Sequence, residues 1–131
     1  MRNLDLLAAQ TAQRIIADTM HCKPADVDNL ATKALGVLQE SGIYAATLFL
    51  YSRSSKDAEI APYVRKSLLD LAAQEILNQP APDDEVHAAL RFVTDRICND
   101  LDTLLLIKQV WEQTLIYVRY GAMARKAKEE E

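Results

Sequence analysis

Histidine and cysteine are the residues of this sequence best suited to bind a metal ion or to act as a nucleophile. His21 and Cys22 are adjacent, and adjacent side chains point apart on most backbones. His87 and Cys98 lie far along the chain, and none of these side chains has the paired spacing of a zinc site. Glu85 and His87 are separated by one residue, whereas a helical di-metal site needs Glu-x-x-His on one face. The sequence therefore predicts no bound metal.

A structural role is the simpler interpretation of the same side chains. Nothing else in the sequence points to an oxidising compartment, so we expect Cys22 and Cys98 to be free thiols, with Cys98 packed in the core. His21 is expected at a helix C-terminus, where positive charge is tolerated, and His87 on the surface.

Motifs for covalent catalysis and for nucleotide loops are missing from the sequence. It has no Gly-x-Ser-x-Gly motif, and its glycines at positions 36, 42 and 121 are too far apart for a Gly-rich phosphate loop. Carboxylates such as Asp95 and Asp102 are explained as solvated acids. We therefore expect no catalytic residue, no cofactor and no small-molecule substrate.

Local clusters of lysine and arginine make nucleic acid binding the more specific hypothesis. The net charge of -4 argues against indiscriminate binding to polyanions, but residues 119–128 contain four cations and no acid. Phosphate contacts need only flexible cations on an exposed face, although a solvated helix face explains the same charges. The candidate RNA contacts are Arg53, Lys56, Arg65, Lys66, Arg119, Arg125 and Lys126.

Helices are expected to position these side chains. Apolar residues recur at spacings of three and four, and glycine and proline are few. The predicted helices span residues 4–20, 24–41, 43–52, 60–77, 85–98 and 101–126. Gly42 is expected to stop the second helix in a left-handed conformation, and Asp83 or Asp84 to cap the fifth. The last helix is apolar around most of its circumference, which predicts a central position or a second buried face.

The predicted fold class is all-α, a compact single-domain bundle of about five to six helices. The domain is expected to span residues 1–128, followed by an acidic tail at 129–131. No apolar run approaches the roughly 20 residues that span a bilayer, and the first residues lack a signal-peptide core. The sequence therefore predicts a cytoplasmic protein without membrane contact.

The order of these features resembles the small, all-helical subunit of type III-B (Cmr) CRISPR effector complexes. Lys33 followed by Val37-Leu38, and then Gly42-Ile43-x-x-Ala46-x-x-Phe49, is similar to the most recognisable signature of that family. In this signature a helix ends at glycine and a short apolar helix ends in an aromatic residue. Leu35 departs from the pattern, because the family usually has proline there.

Both ends of the chain carry the same resemblance. The family's opening helix is similar to Ala9-Gln10-x-Ala12 followed by Ile15. Its aromatic and basic C-terminal pattern is similar to Lys108-x-Val110 leading to Ile116-Tyr117-Val118-Arg119-Tyr120. Val118 stands where the family usually has lysine.

The resemblance implies a non-catalytic subunit of an antiviral defence complex. Such a subunit is present in more than one copy, stacks along the crRNA-bearing backbone and helps to hold target RNA. Its partners would be the other Cmr subunits, further copies of itself, and crRNA with target RNA. The match also adds Lys33 to the candidate RNA contacts. The alternative is a helical-bundle adaptor or regulatory protein that binds only protein partners, with the last helix as its interface.

Overall fold

Five helices joined by turns and short loops form the fold in the computed structural model, which describes residues 3–130. The helices are α1 (Leu4–Asp18), α2 (Pro24–Tyr51), α3 (Asp57–Asp70), α4 (Val86–Phe92) and α5 (Leu101–Glu129). π-Helical turns extend α3 and α4, at Leu71–Ile76 and Val93–Ile97 respectively. Residues 3–130 contain no β-strand. The predicted all-α bundle is therefore confirmed.

A kink at Gly42 interrupts α2. Gly42 has φ 92° and ψ -173°, which a residue with a side chain rarely adopts. The predicted interruption at Gly42 is confirmed: α2 consists of two helical segments, one on each side of Gly42, which meet at the kink without a connecting loop.

Glu85 caps the N-terminus of α4. Its carboxylate accepts a hydrogen bond from the backbone N–H of Ala88 at 2.7 Å. The sequence assigned this role to Asp83 or Asp84, and that assignment is wrong. Asp84 lies in the linker between the π-helical turn Leu71–Ile76 and α4, and its side chain is bound instead to Arg65 of α3.

The core surrounds α5, which packs along both α1 and α2, as its broad apolar surface predicts. Trp111 is 1% exposed, and its indole N–H donates to the carbonyl of Leu68 at 2.9 Å. This carbonyl lies close to the point where α3 changes to a π-helical turn. α1 runs parallel to α5, because Asp5 meets Tyr117 near the start of α1. Arg125 then meets the residues that follow α1.

The cysteines are unpaired, with Cys22 buried and Cys98 exposed. The prediction that Cys98 packs in the core is therefore wrong. A π-helical turn contains more residues than an α-helical turn, so it rotates the side chains that follow it around the helix axis. Cys98 comes directly after such a turn and faces outward.

Two further expectations concern the ends and the apolar segments of the chain. Glu129, predicted to begin an acidic tail, is the last residue of α5, and Glu130 caps that helix. Glu131 lies outside the described residues. No helix within residues 3–130 is both long enough and apolar enough to cross a bilayer.

Candidate nucleic-acid interface

The predicted RNA contacts differ in how strongly they are held by the protein itself. Five of them form ion pairs, namely Lys33–Asp57, Arg65–Asp84, Lys66–Asp70, Arg119–Asp28 and Arg125–Glu129. Arg53 lies over the ring of Phe49, 3.7 Å from its centroid, and donates to the Phe49 carbonyl at 3.0 Å. Lys56 and Lys126 are exposed and form no ion pair within residues 3–130.

Arg125 is a structural residue. Its side chain is 13% exposed, and its guanidinium donates to the carbonyls of Thr19 at 3.2 Å and Met20 at 3.1 Å. It also donates to the carbonyl of Cys22. The last carbonyls of a helix lack partners within that helix, and Arg125 supplies donors just beyond the end of α1. These bonds tie α5 to α1 and leave little of the guanidinium for phosphate.

Arg65 forms a second structural cluster with Tyr51 and Asp84. Its guanidinium lies 4.1 Å from the centroid of the Tyr51 ring and donates to both Asp84 oxygens, at 3.0 Å and 3.3 Å. The Tyr51 hydroxyl donates to the same carboxylate at 2.9 Å. The hydrogen bonds from Arg65 lower the pKa of Asp84, while burial and then the Asp84 bond raise the pKa of Tyr51 to about 12. The cluster fastens the linker before α4 to α2 and α3.

Charged side chains border the exposed side of the first half of α2. We define the α2 face as Ala25, Asn29, Thr32 and Gly36, which repeat at spacings of three and four and carry no charge. Lys33 and Asp28 lie on its two borders, because five residues in a helix correspond to a rotation of about 140° between side chains.

Each border of the α2 face contains two of the predicted RNA contacts. On one border, Lys33 pairs with Asp57 at 3.1 Å, which brings Lys33 close to Lys56 at the start of α3. On the other, Arg119 of α5 pairs with Asp28 at 3.3 Å. Lys126 lines a surface pocket on that border together with Asp28 and Glu130. The fold therefore gathers four predicted contacts around one helix face, whereas Lys66 lies elsewhere on α3.

A second polar group lies between α2 and α4, and sequence reasoning did not single it out. Tyr44, His87, Leu90, Arg91 and Thr94 line an open pocket of about 370 Å³. His87, Arg91 and Thr94 recur at spacings of four and three, which is the pattern of one helix face and the signal that the sequence contained. The proximity of Tyr44 depends on tertiary packing.

An open apolar groove of about 540 Å³ runs between α1 and α5. Ala9, Ile16 and Met20 line it from α1, and Tyr117 and Gly121 from α5. A Cβ atom at Gly121 would lie 3.1 Å from Cγ1 of Ile16, so glycine allows the close approach of the two helices. The groove contrasts with the cation-bordered α2 face, because its lining contains no charged side chain.

The side chains suited to metal binding and nucleophilic chemistry do not come together. Within residues 3–130, no three His, Cys, Asp or Glu side chains form a group that could hold a metal ion. Burial raises the pKa of both the Cys22 and the Cys98 thiols, which lowers the fraction of reactive thiolate. His21 packs edge-on against Tyr63, with ring centroids 5.7 Å apart.

Comparison with known protein families, characterised proteins and solved structures finds no match to this chain. Its function is therefore inferred from its own side chains and from the resemblance of its sequence motifs to those of the small type III-B subunits.

Proposed function

We propose that the protein is a non-catalytic, RNA-binding small subunit of a type III-B CRISPR effector complex. In this role the α2 face lies against the backbone of target RNA, while other surfaces bind crRNA-bearing sister subunits and further copies of the chain. The complex would act in the cytoplasm. The observation that supports the proposal most directly is that two candidate RNA contacts lie on each border of an uncharged helix face, one of the two paired with an aspartate.

The α2 face suits a phosphate backbone for two physical reasons. Its side chains are small, so a strand can come close to the helix surface. The cations on its borders are mostly lysines, whose flexible side chains can reach phosphate groups. Contacts to phosphate do not depend on the base sequence. Asp28 and Asp57 offset Arg119 and Lys33, which leaves Lys56 and Lys126 as the strongest candidates for phosphate contacts.

Removal of these two lysines tests the proposed contact. We expect Lys56→Ala/Lys126→Ala to weaken the binding of single-stranded RNA about tenfold and to lower the salt slope by about 2, because two charged contacts are lost. The measurement is RNA affinity of the assembled complex over a series of salt concentrations.

The matched control is Arg14→Ala/Arg96→Ala, which also removes two exposed cations that form no ion pair within residues 3–130. It should leave affinity within about twofold, since non-specific attraction changes little with two distant charges. Equal effects of the two double variants would contradict a role for the α2 face.

Recovery of the tagged protein from its native host tests the family assignment. We expect crRNA and the other effector subunits to be recovered with it, and the RNA to be lost after nuclease treatment. Recovery with neither RNA nor effector subunits would contradict the proposal.

The apolar groove between α1 and α5 favours a second candidate function, an adaptor that binds only proteins. Uncharged apolar surface of this kind is typical of protein contacts and contributes nothing to phosphate binding. The same recovery experiment separates the candidates, because an adaptor keeps its protein partners after nuclease treatment and brings no RNA with it.

A further inference from the structure

The pocket between α2 and α4 combines an exposed aromatic ring with an exposed guanidinium. Tyr44 is 42% exposed, and its hydroxyl has no hydrogen-bond partner within residues 3–130. Arg91 and His87 line the same pocket from α4, one helical turn apart. Leu90 supplies an apolar wall, so the pocket has a stacking surface, an apolar side and a cationic side.

Arg91 differs from the arginines that hold the fold together. The only hydrogen bond of its side chain in the described part of the chain runs from Nε to the backbone carbonyl of His87, at 3.4 Å. The two terminal nitrogens therefore remain available, whereas those of Arg65 and Arg125 are engaged with carboxylate and carbonyl oxygens. A planar guanidinium with free terminal nitrogens is the side chain that binds phosphate through two parallel hydrogen bonds.

The position of Thr94 adds to this arrangement. Thr94 belongs to the π-helical turn that follows α4, and π-helical turns occur frequently at functional sites. Its hydroxyl donates to the carbonyl of Arg91 at 3.1 Å, so it packs over the backbone of the residue that carries the free guanidinium.

We infer that Tyr44, His87 and Arg91 form a binding site for one nucleotide, with the base stacked on Tyr44 and the phosphate bound by Arg91. Aromatic rings hold single-stranded bases by stacking, and a nearby cation binds the attached phosphate. Leu90 contacts the apolar edge of the base or sugar, and His87 offers a ring nitrogen to sugar or phosphate. The volume of about 370 Å³ lies at the lower end of the range of small-ligand pockets.

That this nucleotide is part of an RNA strand rests on the proposed function. That the pocket binds a nucleotide rests on the side chains of the pocket alone. Tyr44 lies eight residues beyond Gly36 of the α2 face, on the other side of the Gly42 kink. A free nucleotide would use the same chemistry, so the experiment needs one arm for each source.

The test begins with the purified full chain labelled for NMR. Adenosine 5′-monophosphate, adenosine and inorganic phosphate are titrated separately, and a short oligoadenylate RNA is the second arm. We expect the monophosphate to shift the amide signals of Tyr44, Leu90, Arg91 and Thr94, and the other two small ligands to shift them less. The oligoadenylate should shift the same signals at lower concentration.

Substitutions then separate stacking from charge. Tyr44→Ala and Arg91→Ala should each weaken oligoadenylate binding by roughly tenfold, while Tyr44→Phe keeps the affinity within about twofold. Arg96→Ala is the matched control for charge, because it removes an exposed arginine from the next turn without touching the pocket. Circular dichroism of each variant confirms the fold, and Tyr44→Leu serves if Tyr44→Ala unfolds.

Two results would overturn the inference. One is the absence of amide signal shifts at the pocket with both adenosine 5′-monophosphate and the oligoadenylate. The other is an equal loss of oligoadenylate affinity in Arg91→Ala and Arg96→Ala. If nucleotides bind at the pocket but Lys56→Ala/Lys126→Ala leaves RNA affinity unchanged, the proposed RNA contact at the α2 face is refuted and this site is retained. If that double variant loses RNA affinity but Tyr44→Ala does not, the nucleotide site is refuted and the RNA contact at the α2 face is retained.

Discussion

At the scale of residues, Gly42 has a backbone conformation that few other residues adopt. Its φ of 92° lies in the region that disfavours any side chain, although no atom lies within 4 Å of the place where a Cβ would be. Any cost of a substitution at Gly42 is therefore a cost of backbone conformation rather than of packing.

Gly42→Ala should lower the free energy of unfolding by about 1–3 kcal/mol, because alanine must be held at a disfavoured φ. Gly36→Ala is the matched control, since Gly36 lies within a helix and a Cβ there meets no atom within 4 Å. We expect the control to raise stability by about 0.5–1 kcal/mol. Urea unfolding of both variants measures the difference, and a Gly42→Ala protein as stable as Gly36→Ala would contradict the strain at the kink.

The Tyr51 hydroxyl makes stability depend on pH. Its pKa is raised to about 12 in the folded chain from an ordinary 10.0, so the neutral form is favoured by folding. The resulting stabilisation is complete below pH 10 and is lost as the pH rises towards 12.

Tyr51→Phe isolates this dependence. The difference in free energy of unfolding between the native chain and Tyr51→Phe should be constant up to about pH 10 and should then shrink as the phenol ionises. Denaturant titrations at a series of pH values give this difference. A difference that grows above pH 10 would mean that folding lowers the pKa of Tyr51.

Sequence reasoning at this scale succeeded where a residue acts through its own backbone. Gly42 was identified because its conformational freedom is a local property. The partner of Asp84 was missed, because Arg65 is 19 residues away and reaches it only in the folded chain. Local capping preferences favoured Asp84, but a bidentate ion pair with Arg65 and a bond from Tyr51 outweigh one capping bond.

At the scale of helices, Arg125 links the two ends of the chain. It bonds to carbonyls 103 to 106 residues earlier in the sequence, all just beyond the end of α1. Apolar periodicity predicted both α1 and α5, but it contains no information about which pairs of helices adjoin. For the same reason, the sequence did not predict that Arg125, one of the candidate RNA contacts, bonds to the residues after α1.

Arg125→Met removes these bonds and keeps most of the apolar stem. We expect it to lower the free energy of unfolding by about 1–3 kcal/mol, because carbonyl groups at the end of α1 lose a charged donor. Hydrogen exchange should also accelerate in the last turn of α1. Lys128→Met is the control, because Lys128 is an exposed cation three residues further along α5. Equal stability of the two variants would show that the contact contributes nothing measurable.

At the scale of the whole molecule, charge and apolar surface are divided among different faces. The α2 face with the four cations around it, the pocket between α2 and α4, and the uncharged groove between α1 and α5 are three separate surfaces. Composition and apolar periodicity predicted the all-α fold, and the positions of lysine and arginine along the chain predicted the uneven charge. It did not predict which cations would be neutralised within the fold, because that depends on distances between helices.

The pairing of α1 with α5 also has a consequence for biosynthesis. The helix α1 packs along α5, a 29-residue helix that is synthesised after the other four helices. Until α5 is released, the apolar sides of α1 and α2 that pack on it are uncovered, and long-range contacts of this kind form slowly. The core therefore closes only after α5 has been translated.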